Sequence, residues 1–288
     1  MTRLEFTKMH GLGNDYVLFD MTEDHVDGLD LSALSKKVCA PHFSIGGDGT
    51  IFLKPGDSDT DFVARIFNPD GSETGACGTA FRCIARYAYE RKGMAKALNS
   101  GVSIRTFART VTAKLLHDSD GGLVGEAMMG KALFKRRDIP VKGDAESHFL
   151  EETLEVGEER FVVSAASVGN PHAILFCEDL SRVPIDRIGP AIESHPAFPE
   201  RTNVHFVRLV SRRELEVWPY ERGTGRTLSC GTGASAVVAI ANRLGKVDPP
   251  VRVSMPGGSL EIDIQKDGDI IMRAKTEFAF SGWIEYET

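Results

Sequence analysis

The sequence predicts an α+β protein built as two similar halves, each a set of strands packed around one central helix, and three observations lead there. Short alternating or apolar strand-like segments dominate, with one main apolar helix in each half. Each of those helices opens on the same tripeptide, Cys77-Gly78-Thr79 in one and Cys230-Gly231-Thr232 in the other. Other landmarks repeat in the same order. The cysteines stand 153 residues apart, and that offset carries Asn68 onto Glu221; an offset of 156 carries Gly13-Asn14 onto Gly169-Asn170. Each Gly-Asn precedes a strand ending in Leu-Phe, at 18–19 and 175–176. A duplication of this period suggests a site in the cleft between the halves.

Leu4–Met9 alternates and reads as a strand, 10–15 as a turn rich in Gly, Asn and Asp, and Tyr16–Asp20 as a second strand. Leu29–Cys39 carries apolar residues at helical spacing. Ser44-Ile45-Gly46-Gly47-Asp48-Gly49 is a glycine-rich loop, followed by a buried strand at 50–53. Phe62–Phe67 is a strand that runs into the turn Asn68-Pro69-Asp70-Gly71. The first Cys-Gly-Thr helix spans 78–91, and short strands fill the chain to about Met129. The charged, irregular stretch 131–152 reads as the crossing into the second half. There, strands are expected at 160–165 and 173–177, around the turn Gly169-Asn170-Pro171-His172. A short helix at 185–194, strands at 204–210 and 214–218, and a polar loop at 220–227 lead to the second Cys-Gly-Thr helix. That helix ends near Leu244, with Gly245 as a natural cap. Strands at 251–254, 260–264 and 270–274 follow, the first two joined by Pro256-Gly257-Gly258.

The totals narrow the function. At 288 residues the chain is comfortable as two domains, with 42% hydrophobic and 26% charged residues. A net charge of -7 disfavours nucleic acid or an anionic membrane as partner, and no apolar run is long enough to span a bilayer. The start of the sequence lacks the apolar segment of a signal peptide, so a cytoplasmic protein is expected. The five cysteines, at 39, 77, 83, 177 and 230, are odd in number and widely spaced, which argues against a disulfide framework or a structural metal site. Cys39, Cys83 and Cys177 lack a special context and are read as packing residues.

Cys77 and Cys230 are different because a helix start offers unpaired N–H donors and partial positive charge. Such a place favours a thiolate and binds a carboxylate. Two of them facing across a cleft suit the inversion of a carbon centre: one thiolate removes a proton from one face while the opposite thiol delivers one to the other. Hydrogen bonds to the carboxylate would stabilise the charge that develops. Asn14, Asn68, Asn170 and Asn203, at turns or strand ends, read as ligand contacts. Glu221 is suited to an ammonium and Arg222 to a carboxylate, while His172 is placed to tune or position a thiol.

These motifs resemble those of the diaminopimelate epimerase family. The matching pieces are KMHGLGNDYVLFD (8–20), SIGGDG (44–49), RIFNPDGSE (65–73) with the Cys77 motif, VGNPHAILF (168–176), ESHPAFPERTNVHFV (193–207), YERGTGRTLSCGTGAS (220–235) and PGGSLEI (256–262). The resemblance implies the fold of that family, with halves at 1–127 plus 276–288 and at 128–275, the last strand (278–285) returning to the first half. It implies Cys77 and Cys230 as acid and base, without cofactor or metal, in a homodimer. It implies carboxylate binding by the backbone of Gly78, Thr79, Gly231 and Thr232. It gives Asn14, Asn68, Asn170, Asn203 and Arg222 the distal end of the substrate. Glu221 would take the reacting ammonium and support Cys230, and His172 would support Cys77. The family's usual Cys-Gly-Asn-Gly is Cys77-Gly78-Thr79-Ala80 here. That difference keeps a racemase of another amino acid, such as histidine, as the alternative substrate reading. A non-catalytic amino-acid-binding or thiol-redox protein is the alternative of another class.

Overall fold

Alternating and apolar strand segments form as their patterns predict, and they sort into two units in a computed structural model that describes residues 2–22, 28–75 and 77–286. Ala76, inside the first cysteine motif, lies outside the described residues. One unit comprises Met1–Met128 with Arg273–Thr288, the other Met129–Met272.

The first unit contains β1 (Thr2–Gly11), β2 (Asn14–Asp20), α1 (Leu31–Cys39), β3 (Gly49–Pro55), β4 (Phe62–Phe67), β5 (Glu73–Thr74), α2 (Gly78–Glu90), β6 (Val102–Arg105), β7 (Thr110–His117) and most of β8 (Leu123–Lys131). β1 and β2 form an antiparallel hairpin, β2 lies parallel to β3, β3 antiparallel to β4, and β4 parallel to β6. Antiparallel pairing carries the order on through β7 to β8. Helix α2 buries Phe81, Ile84, Ala85 and Ala88 against Met9, Leu18, Ile51, Ile66 and Leu115. Helix α1 begins one residue after Asp30, whose carboxylate accepts from the Ala33 N–H as an N-cap.

The second unit follows as β9 (Glu152–Val156), β10 (Glu159–Ser167), β11 (Pro171–Phe176), α3 (Ile185–Glu193), β12 (Asn203–Ser211), β13 (Glu214–Glu221), β14 (Gly225–Arg226), α4 (Gly231–Arg243), β15 (Val251–Met255), β16 (Gly258–Ile264) and most of β17 (Asp269–Ala274). Its pairing repeats that of the first: β10 antiparallel to β11, β11 parallel to β12, β12 antiparallel to β13, β13 parallel to β15, and β15 antiparallel to β16. Helix α4 is apolar on nearly every side, with Val237, Val238 and Ile240 fully buried, as a central helix must be. The chain then ends in β18 (Glu277–Tyr286), which pairs antiparallel with β1 in the first unit. In the second unit β9 takes the same place beside β10.

The structure differs from the sequence reading at several places: β9 was not expected, and Pro171 and His172, read as turn, begin β11. Residues 220–227 are not all loop: β13 continues to Glu221, and β14 turns back against it, pairing Tyr220 with Arg226. Glycines at 223 and 225, both at positive φ, make that tight hairpin possible. The irregular 131–152 stretch is partly pinned by isolated bridges, Leu133 to Ser167 and Lys135 to His148.

Candidate active site

The two cysteines occupy the same local position. Cys77 is the N-cap of α2 and Cys230 the N-cap of α4; both have extended backbones, φ −145° and −137°, and each precedes a helix of 13 residues. The first-turn N–H groups of each helix therefore start at the sulfur-bearing residue.

In the first unit the Cys77 sulfur accepts from the Ala80 N–H at 3.4 Å and lies 3.0 Å from the Tyr16 hydroxyl. Tyr16 comes from β2, and its ring lies where only a glycine leaves room. A Cβ on Gly49, its partner in β3, would come within 2.6 Å of the ring and 2.5 Å of the Phe67 carbonyl. The glycine-rich loop before Gly49 is tied to the start of β2. The Asp48 N–H donates to the Asp15 side chain at 2.8 Å, and Lys8 pairs with Asp15 at 2.9 Å. Burial raises the Cys77 pKa; the Tyr16 hydroxyl, the Ala80 N–H and the nearby Arg82 guanidinium pull it back down. Gly78 and Thr79 are buried in the first turn. Asn14 begins β2, and its side-chain oxygen is buried without a partner among the described residues. Asn68 donates from its amide to Ser72 Oγ at 2.9 Å, which shapes the turn after β4.

In the second unit Cys230 is 4% exposed, its N–H donates to the Met255 sulfur at 3.4 Å, and its own sulfur lies 3.6 Å from Thr232 Oγ1. Burial and the Glu221 carboxylate push its pKa well up. Glu221 is at the end of β13 and accepts from the Thr227 hydroxyl at 2.6 Å. His172 on β11 and His205 on β12 form a buried pair, with Nδ1 of the first 2.9 Å from Nε2 of the second. Nε2 of His172 lies 2.8 Å from Asn170 Oδ1. With that oxygen as acceptor, His172 carries its proton on Nε2, and His205 Nε2–H must donate to His172 Nδ1. Burial drives both pKa values down, that of His205 to about 3, so the pair is neutral. His172, His205 and Cys230 bring one potential metal-ligating atom each within 4.8 Å of one another, and all three residues are buried.

Asn203 is 4% exposed and secures the loop between the strands, its oxygen accepting from the Arg222 N–H and its amide donating to the Pro171 carbonyl, both at 2.9 Å. The Arg222 guanidinium donates to the Glu200 carbonyl at 2.8 Å. Thus Asn170, His172, Asn203, Glu221, Arg222 and Thr232 all belong to the network around Cys230 or the loops beside it, whereas Cys77 has Tyr16, Gly78 and Thr79 close by. Within its own unit the partners of His172 are His205 and Asn170, with the Cys230 sulfur near the pair. Tyr16 and His205 were not singled out from sequence. A signal existed for Tyr16: the 156-residue offset that superposes Asn14 on Asn170 carries it onto His172.

A family model described as diaminopimelate epimerase matches residues 6–135 and 164–278. The chain belongs to the diaminopimelate epimerase family. Several relatives carry that name, two of them as follows. One, from Methanothermobacter thermautotrophicus, is 43% identical over 265 residues, 91% of each chain. The other, from Pelotomaculum thermopropionicum, is 40% identical over 285 residues, 99% of this chain and 100% of its own length. Among solved structures, a phenazine biosynthesis protein of the PhzF family from Bacillus anthracis superposes with a TM-score of 0.73, covering 99% of this chain and 100% of that one. At 15% identity this likeness speaks for the fold alone. The family match covers both cysteine helices, Tyr16 and the His172–His205 pair.

Proposed function

We propose that this protein, an isomerase of the diaminopimelate epimerase family, interconverts LL- and meso-2,6-diaminopimelate by moving one α-proton between two thiols, with no pyridoxal or metal. The observation that carries the reading is the matched pair: Cys77 and Cys230, each the N-cap of a 13-residue helix, in a chain of this family. In the reaction one thiolate takes the α-proton and the opposite thiol returns a proton to the other face. The sulfur that gained the proton ends as the thiol, so atoms and charge balance. First-turn N–H groups of Gly78, Thr79, Gly231 and Thr232 hold the carboxylate, where they also stabilise the charge that builds up on it. Glu221 receives the ammonium at the reacting centre and supports Cys230. His172 positions a thiol through its ring. Asn14, Asn68, Asn170, Asn203 and Arg222 hold the distal end. Asn203 at the start of β12 and Arg222 just after β13 do so braced against one another, the Asn203 side chain accepting from the Arg222 N–H.

Solvent deuterium exchange at the α-carbon tests the substrate. Exchange with diaminopimelate, and none with histidine or glutamate, is expected. Exchange with histidine alone would favour the racemase alternative that Thr79-Ala80 keeps open. Cys77→Ala and Cys230→Ala should each abolish racemisation, and wild-type exchange in either variant would overturn the two-thiol reading. No helix among the described residues is long and apolar enough to cross a membrane. The proposed setting is the cytoplasm and the proposed assembly a homodimer, which light scattering at assay concentration would detect.

A further inference from the structure

Helix α2 hides a charge at its less favourable end. Arg82 is 1% exposed, in the midst of an apolar core. Its side chain runs back along the helix toward the first turn, as long side chains on helices do. There Nη2 lies 3.4 Å from Thr79 Oγ1, while Nε and Nη1 have no hydrogen-bond partner among the described residues. The backbone makes room for it. A Cβ on Gly11 would lie 3.3 Å from Nη2 and one on Gly125 would lie 2.8 Å from the Arg82 Cβ.

Two rules are broken at once. A cation is unfavourable beside a helix N-terminus, where the dipole is already positive. A buried guanidinium without a counter-ion is more costly still. The carboxylates on the packed elements are committed elsewhere. Glu126 on β8 is held by Arg273 and Lys114, and Glu277 on β18 faces His10 of β1. Burial pulls the Arg82 pKa down, and the sulfurs of Cys83 and Cys77, once ionised, are the groups that act against that pull. Cys83 is sealed in the core, while Cys77 is half-buried at the helix start, with the Tyr16 hydroxyl and the Ala80 N–H already directed at its sulfur.

The repeat offers a comparison within the same chain. The 153-residue offset sets Ser235 of α4 where α2 has Arg82. Ser235 is fully buried and satisfied inside its own helix, its hydroxyl donating to the Gly231 carbonyl at 2.9 Å. A central helix of this fold therefore does not need an arginine there. Cys230 accordingly has no such cation on its own helix, and has the Glu221 carboxylate beside it.

We infer that Arg82 is a positioning residue for Cys77: its buried, uncompensated guanidinium is the counter-charge that makes the thiolate of Cys77, rather than of Cys230, the resting base. It touches no substrate and acts through the sulfur. The inference deepens the proposed function and rests on Cys77 being one of its two working thiols.

The test reads thiolate formation directly, without turnover. Alkylation by iodoacetamide is followed across pH at the Cys77 and Cys230 peptides by mass spectrometry, in the wild type, Arg82→Met and Arg82→Lys. In Arg82→Met the Cys77 midpoint should rise by about 1–3 pH units, the range expected for loss of a nearby opposite charge. Arg82→Lys, which keeps the charge, should restore most of that change, and the Cys230 midpoint should stay in place. A Cys77 midpoint that does not move in Arg82→Met overturns the inference. So does an equal rise at both cysteines, which marks a general loosening. Should Arg82→Met not fold, the Arg82→Lys and wild-type profiles still decide: a Cys77 midpoint at or above that of Cys230 in both refutes the assignment. Failure of the proposed function would appear elsewhere, as α-proton exchange at the wild-type rate in Cys77→Ala.

Discussion

At the scale of single residues, the cysteines were legible because their neighbours repeat, whereas their closest partners were not. Tyr16 lies 61 positions before Cys77 and His205 lies 25 before Cys230, on strands whose register no local pattern reveals. A tyrosine or histidine on a buried strand reads as core until pairing brings it to a sulfur. The His172–His205 pair has a measurable consequence. Both rings are buried and neutral, so protonation must be resisted by the fold. With a folded pKa near 3 against an ordinary 6.5, the contribution of His205 is whole above pH 6.5 and is lost progressively as pH falls toward 3. At pH 5 that loss amounts to about 2 kcal/mol from His205 alone. Urea midpoints from pH 7.5 to 5 should therefore fall more steeply in the wild type than in His205→Gln. Equal slopes would mean that the ring is not held neutral by burial.

At the scale of elements, both cysteine helices and most strands could be read from apolar spacing, and α1 from its Asp30 cap. The hairpin at 220–227 could not, because its residues are polar and its strands owe their form to pairing and to two glycines at positive φ. Helix α4 shows a constraint that α2 lacks. A Cβ on Gly233 would meet His205 Cε1 at 2.2 Å, so the ring is wedged against the helix start. At the matching place α2 already carries Ala80, and the strand position that corresponds to His205 is Ile51. Gly233→Ala should therefore destabilise the protein by about 1–3 kcal/mol, the usual range for overpacking. Adding His205→Ala should recover much of that loss, since it removes the obstructing ring. Thermal denaturation of the single and double variants measures both, and a double variant no better than the single would place the strain elsewhere.

At the scale of the whole molecule, the repeat seen in sequence corresponds to a repeat in pairing. In each unit a hairpin leads by a parallel step to a further antiparallel pair, and a cysteine-capped helix follows. The motif spacing exposed this because the loops between landmarks have nearly the same lengths in both halves. The place of β9 was harder to read. It occupies beside β10 the position that β18 fills beside β1, so one edge of the repeat is supplied locally and the other by the chain's end. If both thiols serve one carbon, as proposed, they must approach closely enough to join. Mild oxidation without substrate should then inactivate the enzyme and yield a Cys77–Cys230 linkage, with activity returning on reduction. Peptide mapping that found both cysteines reduced in the inactive protein would contradict a shared carbon.

The pairing of β1 with β18 has a further consequence for how the protein is made. Gly11 ends one strand and Glu277 begins its neighbour, so the ribosome must add more than 260 residues before they can meet. At roughly 5–20 residues per second the nascent β1 edge stays open for tens of seconds. Strands β9 to β17, contiguous in the chain, are made before then. Synthesis thus delivers the later cysteine helix with its full set of neighbours, while the earlier one waits for the final strand. Nascent chains halted before β18 should expose β1 to chaperones and to pairing with other strands, so truncations at this end should cost more in solubility than their length suggests.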